Sequence, residues 1–211
     1  MRVLFLGDSI TDGGRDYRNF HNMGYSYPKY AAESIAKALP DVNFEFINLG
    51  ISGNRSDQLF DRLFHDGVEL QPDFVSVFIG VNDVWHRHMH HVATTDEQLA
   101  SNFRAILGRL KNETNAKILV LSPYILDCED KEAIRADLPS VIALEEKILP
   151  GYADAYVPLG VLFEEALKTQ PEPHFYSADG VHPNENGARF IAEHYVKAAL
   201  PILKALAKKE K

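Results

Sequence analysis

Five short apolar runs, each followed by a stretch long enough for a helix, restrict this chain more than any other feature. The runs are Val3 to Leu6, Asn43 to Leu49, Phe74 to Ile79, Lys117 to Leu121 and Ala155 to Val157. Phe74 to Ile79 is almost unbroken in its apolar character, the type of strand buried on both faces of a sheet. The stretches between them carry helical spacing. Ser26 reads as an N-cap with Pro28 in the first turn, ahead of Tyr30, Ala31, Ser34, Ile35 and Ala38. A helix from Ser56 or Asp57 carries Leu59, Leu63 and Phe64. Thr95 or Asp96 caps an amphipathic helix with Leu99, Phe103, Ile106 and Leu110 on one face. Further helices are predicted over much of Asp130 to Leu149, where Pro139 complicates the start, and over Val161 to Lys168. A last one runs from about Asn184, with Phe190, Ile191 and Tyr195 facing the core, until Pro201 interrupts it. Strands alternating with helices predict an α/β fold with a parallel sheet and helices on both faces. At 211 residues the chain reads as one domain, 1–211.

Composition narrows the partners. A formal net charge of -8 argues against nucleic acid and anionic membrane as partners and favours a neutral or cationic small molecule. Cys128 is the single cysteine, so no internal disulfide can form. Only four apolar residues stand between Arg2 and Gly7, short of the apolar core of a signal peptide. No run approaches transmembrane length. These features predict a cytoplasmic location. A homo-oligomer is compatible with the sequence.

In parallel sheets, ligands sit beyond the carboxyl ends of the strands. The first strand delivers Gly7-Asp8-Ser9 there, the second is followed by Gly53 and the third by Asn82. Asp179 and His182 lie in a late loop, three residues apart, a spacing that lets the carboxylate reach the imidazole Nδ1–H and leaves Nε2 to face Ser9. Pro183 keeps His182 out of helical geometry. Ester hydrolysis by a serine needs a nucleophile, a base, a group that orients the base, and donors for the oxyanion. Ser9, His182 and Asp179 fill the first three roles. The Ser9 and Gly53 backbone N–H groups and the Asn82 side-chain amide fill the fourth.

Four short blocks carry a resemblance to the GDSL, or SGNH, hydrolases. They are Gly7-Asp8-Ser9-Ile10, Gly50-Ile51-Ser52-Gly53-Asn54, Gly80-Val81-Asn82-Asp83 and Asp179-Gly180-Val181-His182-Pro183. Each block is weak alone, but the four in order span essentially the whole chain. The resemblance implies a three-layer flavodoxin-like sandwich, strand order 2-1-3-4-5, with no metal or organic cofactor. Three longer runs, Gly7 to Arg15, Gly50 to Asn54 and Gly80 to Trp85, resemble the bacterial acetylxylan esterases. They imply an esterase acting on short acyl esters of oligosaccharides. A broader carboxylesterase, thioesterase or lysophospholipase is the alternative. One departure concerns the substrate: Tyr176-Ser177-Ala178 precedes Asp179, where the sugar esterases carry a tryptophan.

Several side chains keep two readings. Trp85 either walls an acyl pocket or packs in the core. Tyr17, Phe20 and Tyr25, in the loop after Ser9, either stack on a sugar or simply pack. Asp8, a candidate substrate contact, and Asp12 read as hydrogen-bonding supports of their loop. Asp83 is expected to hold the Ser9 or Asn82 loop. In His86-Arg87-His88-Met89-His90-His91, a helix would put His86 and His90 on one face, a pattern that suggests zinc. No cysteine or carboxylate is placed to complete a site, so a solvated cleft rim is expected. Cys128 has no evident partner and no assigned role.

Overall fold

The structure is a computed structural model that describes residues 1–90, 92, 94–128 and 130–209. The strands are β1 (Arg2–Gly7), β2 (Glu45–Gly50), β3 (Phe74–Phe78), β4 (Lys117–Leu121) and β5 (Ala155–Val157). They form one all-parallel sheet in the order β2-β1-β3-β4-β5. The helices are α1 (Ser9–Asp12), α2 (Tyr27–Ala38), α3 (Ser56–Leu63), α4 (Val81–Met89), α5 (Asp96–Glu113), α6 (Glu132–Ile148), α7 (Leu159–Leu167) and α8 (Glu185–Lys209).

Side chains alternate across β1, and each face meets its own helix layer. Phe5 stacks on Tyr195 of α8 at 5.3 Å and meets the edge of Tyr27 of α2 at 5.9 Å. Leu6 points the other way, toward Gly67, where Leu63 and Leu110 converge. All four residues Val3 to Leu6 are fully buried, as are the side chains of β3. Each of the apolar ones contributes about 1.5–3 kcal/mol by leaving water, and truncating Phe5 to alanine should cost about 3–5 kcal/mol.

Local signals set several helix ends. Thr95 caps α5 through a reciprocal pair: its hydroxyl accepts from Gln98 N–H and its own N–H donates to the Gln98 side chain. Three expectations need correction. Pro201 does not interrupt α8, which runs on to Lys209. Pro201 is exposed, and so is Lys197, whose carbonyl loses a partner, so water can replace the missing bond. Pro139 lies inside α6 on its exposed surface in the same way. Beyond Leu63 the helix widens into a π turn, Phe64–Val68, closed by Glu69 N–H to the Phe64 carbonyl at 2.8 Å. No helix among the described residues is long and apolar enough to cross a membrane.

Candidate active site

The site follows from strand register. Gly7 of β1 pairs with Gly50 of β2 on one side and Phe78 of β3 on the other, so three loops leave the sheet side by side. After β1, Asp8 Oδ1 accepts the Ile10 N–H at 3.0 Å and starts the single turn α1, which presents Ser9. The end of β2 lies directly against that turn. A Cβ on Gly50 would sit 2.1 Å from Asp12 N, so only glycine allows this approach.

Polar bonds then lock the second loop to the first. Asp12 Oδ2 accepts from the Ser52 hydroxyl at 2.6 Å, the Ser52 N–H at 3.1 Å and the Tyr17 hydroxyl. Buried Arg15 donates to the Gly50 carbonyl at 2.8 Å. Arg62 of α3 donates to the Gly7 and Leu49 carbonyls, 2.9 and 2.7 Å, and to Asn54 Oδ1 at 2.8 Å. Asp12 is therefore a loop support, as expected. Burial raises its pKa, but the bonds from Ser52, Tyr17 and Arg15 outweigh that and hold it below the usual value. Gly53 follows at φ +80°, a conformation that favours glycine, with open space where a side chain would be.

Asn82 is the second residue of α4. Its amide donates one hydrogen to the Asn54 carbonyl at 3.1 Å, which fixes its orientation and leaves the second hydrogen for another acceptor. Asp83 does not brace the Ser9 or Asn82 loop directly. It accepts from the Ser56 hydroxyl at 2.7 Å and the Ser56 N–H at 2.9 Å, and so anchors the start of α3. Burial pushes its pKa up to about 6.

The late loop completes the cluster. His182 Nε2 lies 2.9 Å from Ser9 Oγ, and His182 Nδ1 lies 2.6 Å from Asp179 Oδ2. Asp179 Oδ1 also accepts the His182 N–H at 2.8 Å and the Val181 N–H at 3.0 Å. Burial raises the Asp179 pKa, yet these hydrogen bonds bring it down to about 2, so it is a carboxylate at neutral pH. The loop is pinned from below: the buried Tyr124 hydroxyl donates to the Val181 carbonyl at 2.8 Å, and Leu126 N–H to the Gly180 carbonyl at 2.8 Å. Together these groups offer a hydroxyl beside a basic nitrogen, an anion behind that nitrogen, and N–H donors at the same strand ends.

The model of the GDSL-like lipase/acylhydrolase family matches residues 5–190. The chain belongs to that family. A GDSL-like acylhydrolase is a carboxylic ester hydrolase, and its relatives sharpen the setting. An acetylxylan esterase of Geobacillus stearothermophilus is 28% identical over 203 residues, covering 93% of this chain and 92% of the relative. A solved structure of an acetylxylan esterase from the same organism has a TM-score of 0.83 at 26% identity, with 93% and 92% of the two chains covered. A Parabacteroides merdae protein described as a GDSL-like lipase reaches 0.87 at 31% identity, with 93% and 94% covered.

Around this GDSL cluster the other candidate residues separate. Trp85 is half-buried with its ring 6.5 Å from the His182 ring, and the Lys131 ammonium lies 5.0 Å from the indole centroid. Tyr25 lines the cleft that holds Ser9 and His182. Tyr17 is occupied elsewhere, its hydroxyl on Asp12 and its ring under the Arg15 guanidinium at 4.3 Å. Phe20 is exposed, with its carbonyl accepting from Asn48 N–H at 2.9 Å, and it does not line that cleft. Asp8 is fully buried, so its carboxyl cannot touch a ligand. The substrate-contact reading of Asp8 is corrected to a helix cap.

The histidine segment sits mostly on α4, and His86 and His90 do share a face, with rings 4.7 Å apart. Arg55 donates to His86 Nδ1 at 3.2 Å, while His88 leans on Asp137 at 3.4 Å. His91 lies outside the described residues. Among the described residues no group of three or more His, Cys, Asp or Glu could hold a metal ion. Cys128 is buried with its sulfur 3.8 Å from His174 Nδ1, a partner the sequence did not reveal. Sequence reasoning also missed Arg15, Asn48 and Arg62. Asn48 donates to the Thr11 carbonyl at 2.9 Å, and both it and Arg15 stand within two residues of a glycine, the available signal; Arg62, eight positions past Asn54, offered none.

Proposed function

We propose that the protein is a carbohydrate O-acetylesterase working through a Ser9–His182–Asp179 triad. His182 Nε2 takes the Ser9 proton as Ser9 Oγ attacks the acetyl carbonyl carbon. The carbonyl π electrons move to oxygen, and the oxyanion is held by the Ser9 and Gly53 N–H groups and the Asn82 amide. The carbon–oxygen bond to the sugar then breaks, and His182 returns the proton to the departing alkoxide. Water, deprotonated by the same nitrogen, attacks the acetyl-serine and releases acetate. The observation that carries this reading is the hydrogen-bonded run from Ser9 Oγ through His182 to Asp179, at 2.9 and 2.6 Å.

The oligosaccharide substrate is supported by the acetylxylan esterase relatives. In the Geobacillus enzyme, a serine, an aspartate and a histidine have each been replaced by alanine in what are termed catalytic mutants. A cytoplasmic place, with imported oligosaccharides as substrates, belongs to this reading. The test is acetate release from acetylated xylo-oligosaccharides alongside a panel of p-nitrophenyl esters. Wild type should release acetate and prefer acetate to octanoate esters. Ser9→Ala should lower kcat at least about a thousandfold, because nucleophile and base act as a unit. Octanoate preference with no acetate released from the sugars contradicts the proposal and turns attention to longer-chain esters.

A further inference from the structure

The Ser9–His182 pair opens into a polar cleft of about 340 Å³ lined by Ser9, Gly13, Gly14, Tyr25, Ser26, Ser52, His182 and Pro183. That volume is within the range of small-molecule sites. Three serines border it, and two of their hydroxyls are committed: Ser9 to His182 at 2.9 Å and Ser52 to Asp12 at 2.6 Å. Ser26 differs. It is buried, and its hydroxyl has no hydrogen-bond partner among the described residues. The sequence explains why. Ser26 caps α2, where a serine hydroxyl ordinarily accepts an N–H two or three residues on. Two residues on is Pro28, which has no N–H. Three on is Lys29, whose N–H goes to the Ser26 carbonyl at 3.2 Å.

Tyr25 is the second unusual member. Its N–H is fixed to the Gly13 carbonyl at 2.7 Å, yet the residue is 78% exposed at the mouth of the cleft. A rigid backbone presenting an uncovered aromatic face is pre-organised for a ligand with an apolar flank. Across His182 lies a different wall. Trp85 is three residues after Asn82 on α4 and so shares its face, and the Lys131 ammonium closes over the indole at 5.0 Å.

We propose, resting on the esterase reading, that the two walls divide the substrate. The Tyr25–Ser26 cleft seats the leaving alcohol, a neutral polyhydroxylated ring, and the Trp85 wall takes the acyl group. The alcohol oxygen must receive its proton from His182 Nε2, which borders the cleft. Sugar hydroxyls match the polar lining of the cleft, where the buried Ser26 hydroxyl has no partner among the described residues, and the C–H face of the ring matches Tyr25. An acyl methyl gains nothing from hydroxyls but gains from contact with an indole. Lys131 over that indole limits its length.

The experiment measures kcat/KM for acetylated xylobiose, ethyl acetate and ethyl butyrate on single preparations of wild type, Tyr25→Ala, Ser26→Ala and Trp85→Ala. Each readout is a ratio between two substrates, so partial unfolding of a variant cancels. Tyr25→Ala should lower the sugar-to-ethyl acetate ratio about tenfold, and Ser26→Ala roughly threefold to tenfold. Trp85→Ala should instead raise the butyrate-to-acetate ratio about tenfold. A sugar ratio in Tyr25→Ala within about threefold of wild type overturns the division. So does a sugar ratio moved more by Trp85→Ala than by Tyr25→Ala. Wild type inactive on all three esters would instead overturn the esterase reading on which the division rests.

Discussion

Two aspartates flank Ser9, and their environments are opposite. Asp179, on the late loop, accepts hydrogen bonds on both oxygens: the His182 imidazole on one, and the His182 and Val181 N–H groups on the other. Asp8, at the end of β1, is fully buried and accepts only the Ile10 N–H, while its second oxygen has no partner among the described residues. Burial pushes both carboxyls up. At Asp179 the donors win and the pKa falls to about 2. At Asp8 burial wins over the Ile10 bond and the nearby His182 charge, and the pKa rises to about 7. A carboxylate thus sits behind the imidazole, while a second carboxyl, on the residue before Ser9, is only about half ionised at neutral pH. Donor count, not residue type, decides which aspartate is an anion.

The same substitution at both positions tests that contrast. Asp179→Asn removes the anion and favours the wrong imidazole tautomer, so kcat should fall on the order of ten-thousandfold if the proposed triad operates. Steady-state hydrolysis of an acetate ester measures this, and a loss under tenfold would remove Asp179 from the orienting role. Asn82→Ala takes away a proposed oxyanion donor and should lower kcat about a hundred- to a thousandfold with little change in KM.

The pH profile follows in size. With Asp179 ionised down to about pH 2, a loss of activity at higher pH than that does not come from Asp179, and in a profile of kcat/KM against pH it should persist in Asp8→Asn.

Asp8→Asn should give the smallest effect on rate, because asparagine keeps the helix cap. Its effect belongs to stability. A carboxyl raised from 3.8 to about 7 in the folded state favours folding fully below pH 3.8, and that advantage is lost as pH rises to about 7. Three pKa units correspond to roughly 4 kcal/mol as an upper bound. Urea midpoints should therefore fall less steeply between about pH 4 and 7 in Asp8→Asn than in wild type, and parallel curves would place the titration elsewhere.

Most of this architecture can be read from the chain alone. β4 and β5 begin and end where their apolar runs do, and the four blocks fall at strand ends and in the late loop because register brings Gly7, Gly50 and Phe78 together. What the sequence hid depends on distant partners. Asp83 and Ser56 are 27 positions apart, and nothing local says that one anchors the other. Arg62 reaches back 55 positions to Gly7. Asp8 looks like a polar loop residue until the sheet and its helices enclose it. Pro201 reads as a helix stop by local rule, but its exposed position makes the lost hydrogen bond cheap. Glu145, a helix-surface residue by pattern, is fully buried against Gly80, and burial raises its pKa well above the ordinary value.

The central claim is that Ser9 is the nucleophile activated by His182, and covalent labelling tests it most directly. Wild type incubated with a fluorophosphonate and digested for mass spectrometry should carry one adduct, on Ser9, and His182→Ala should label far more slowly. An adduct on another residue, or none while the enzyme still hydrolyses acetate esters, would contradict the account.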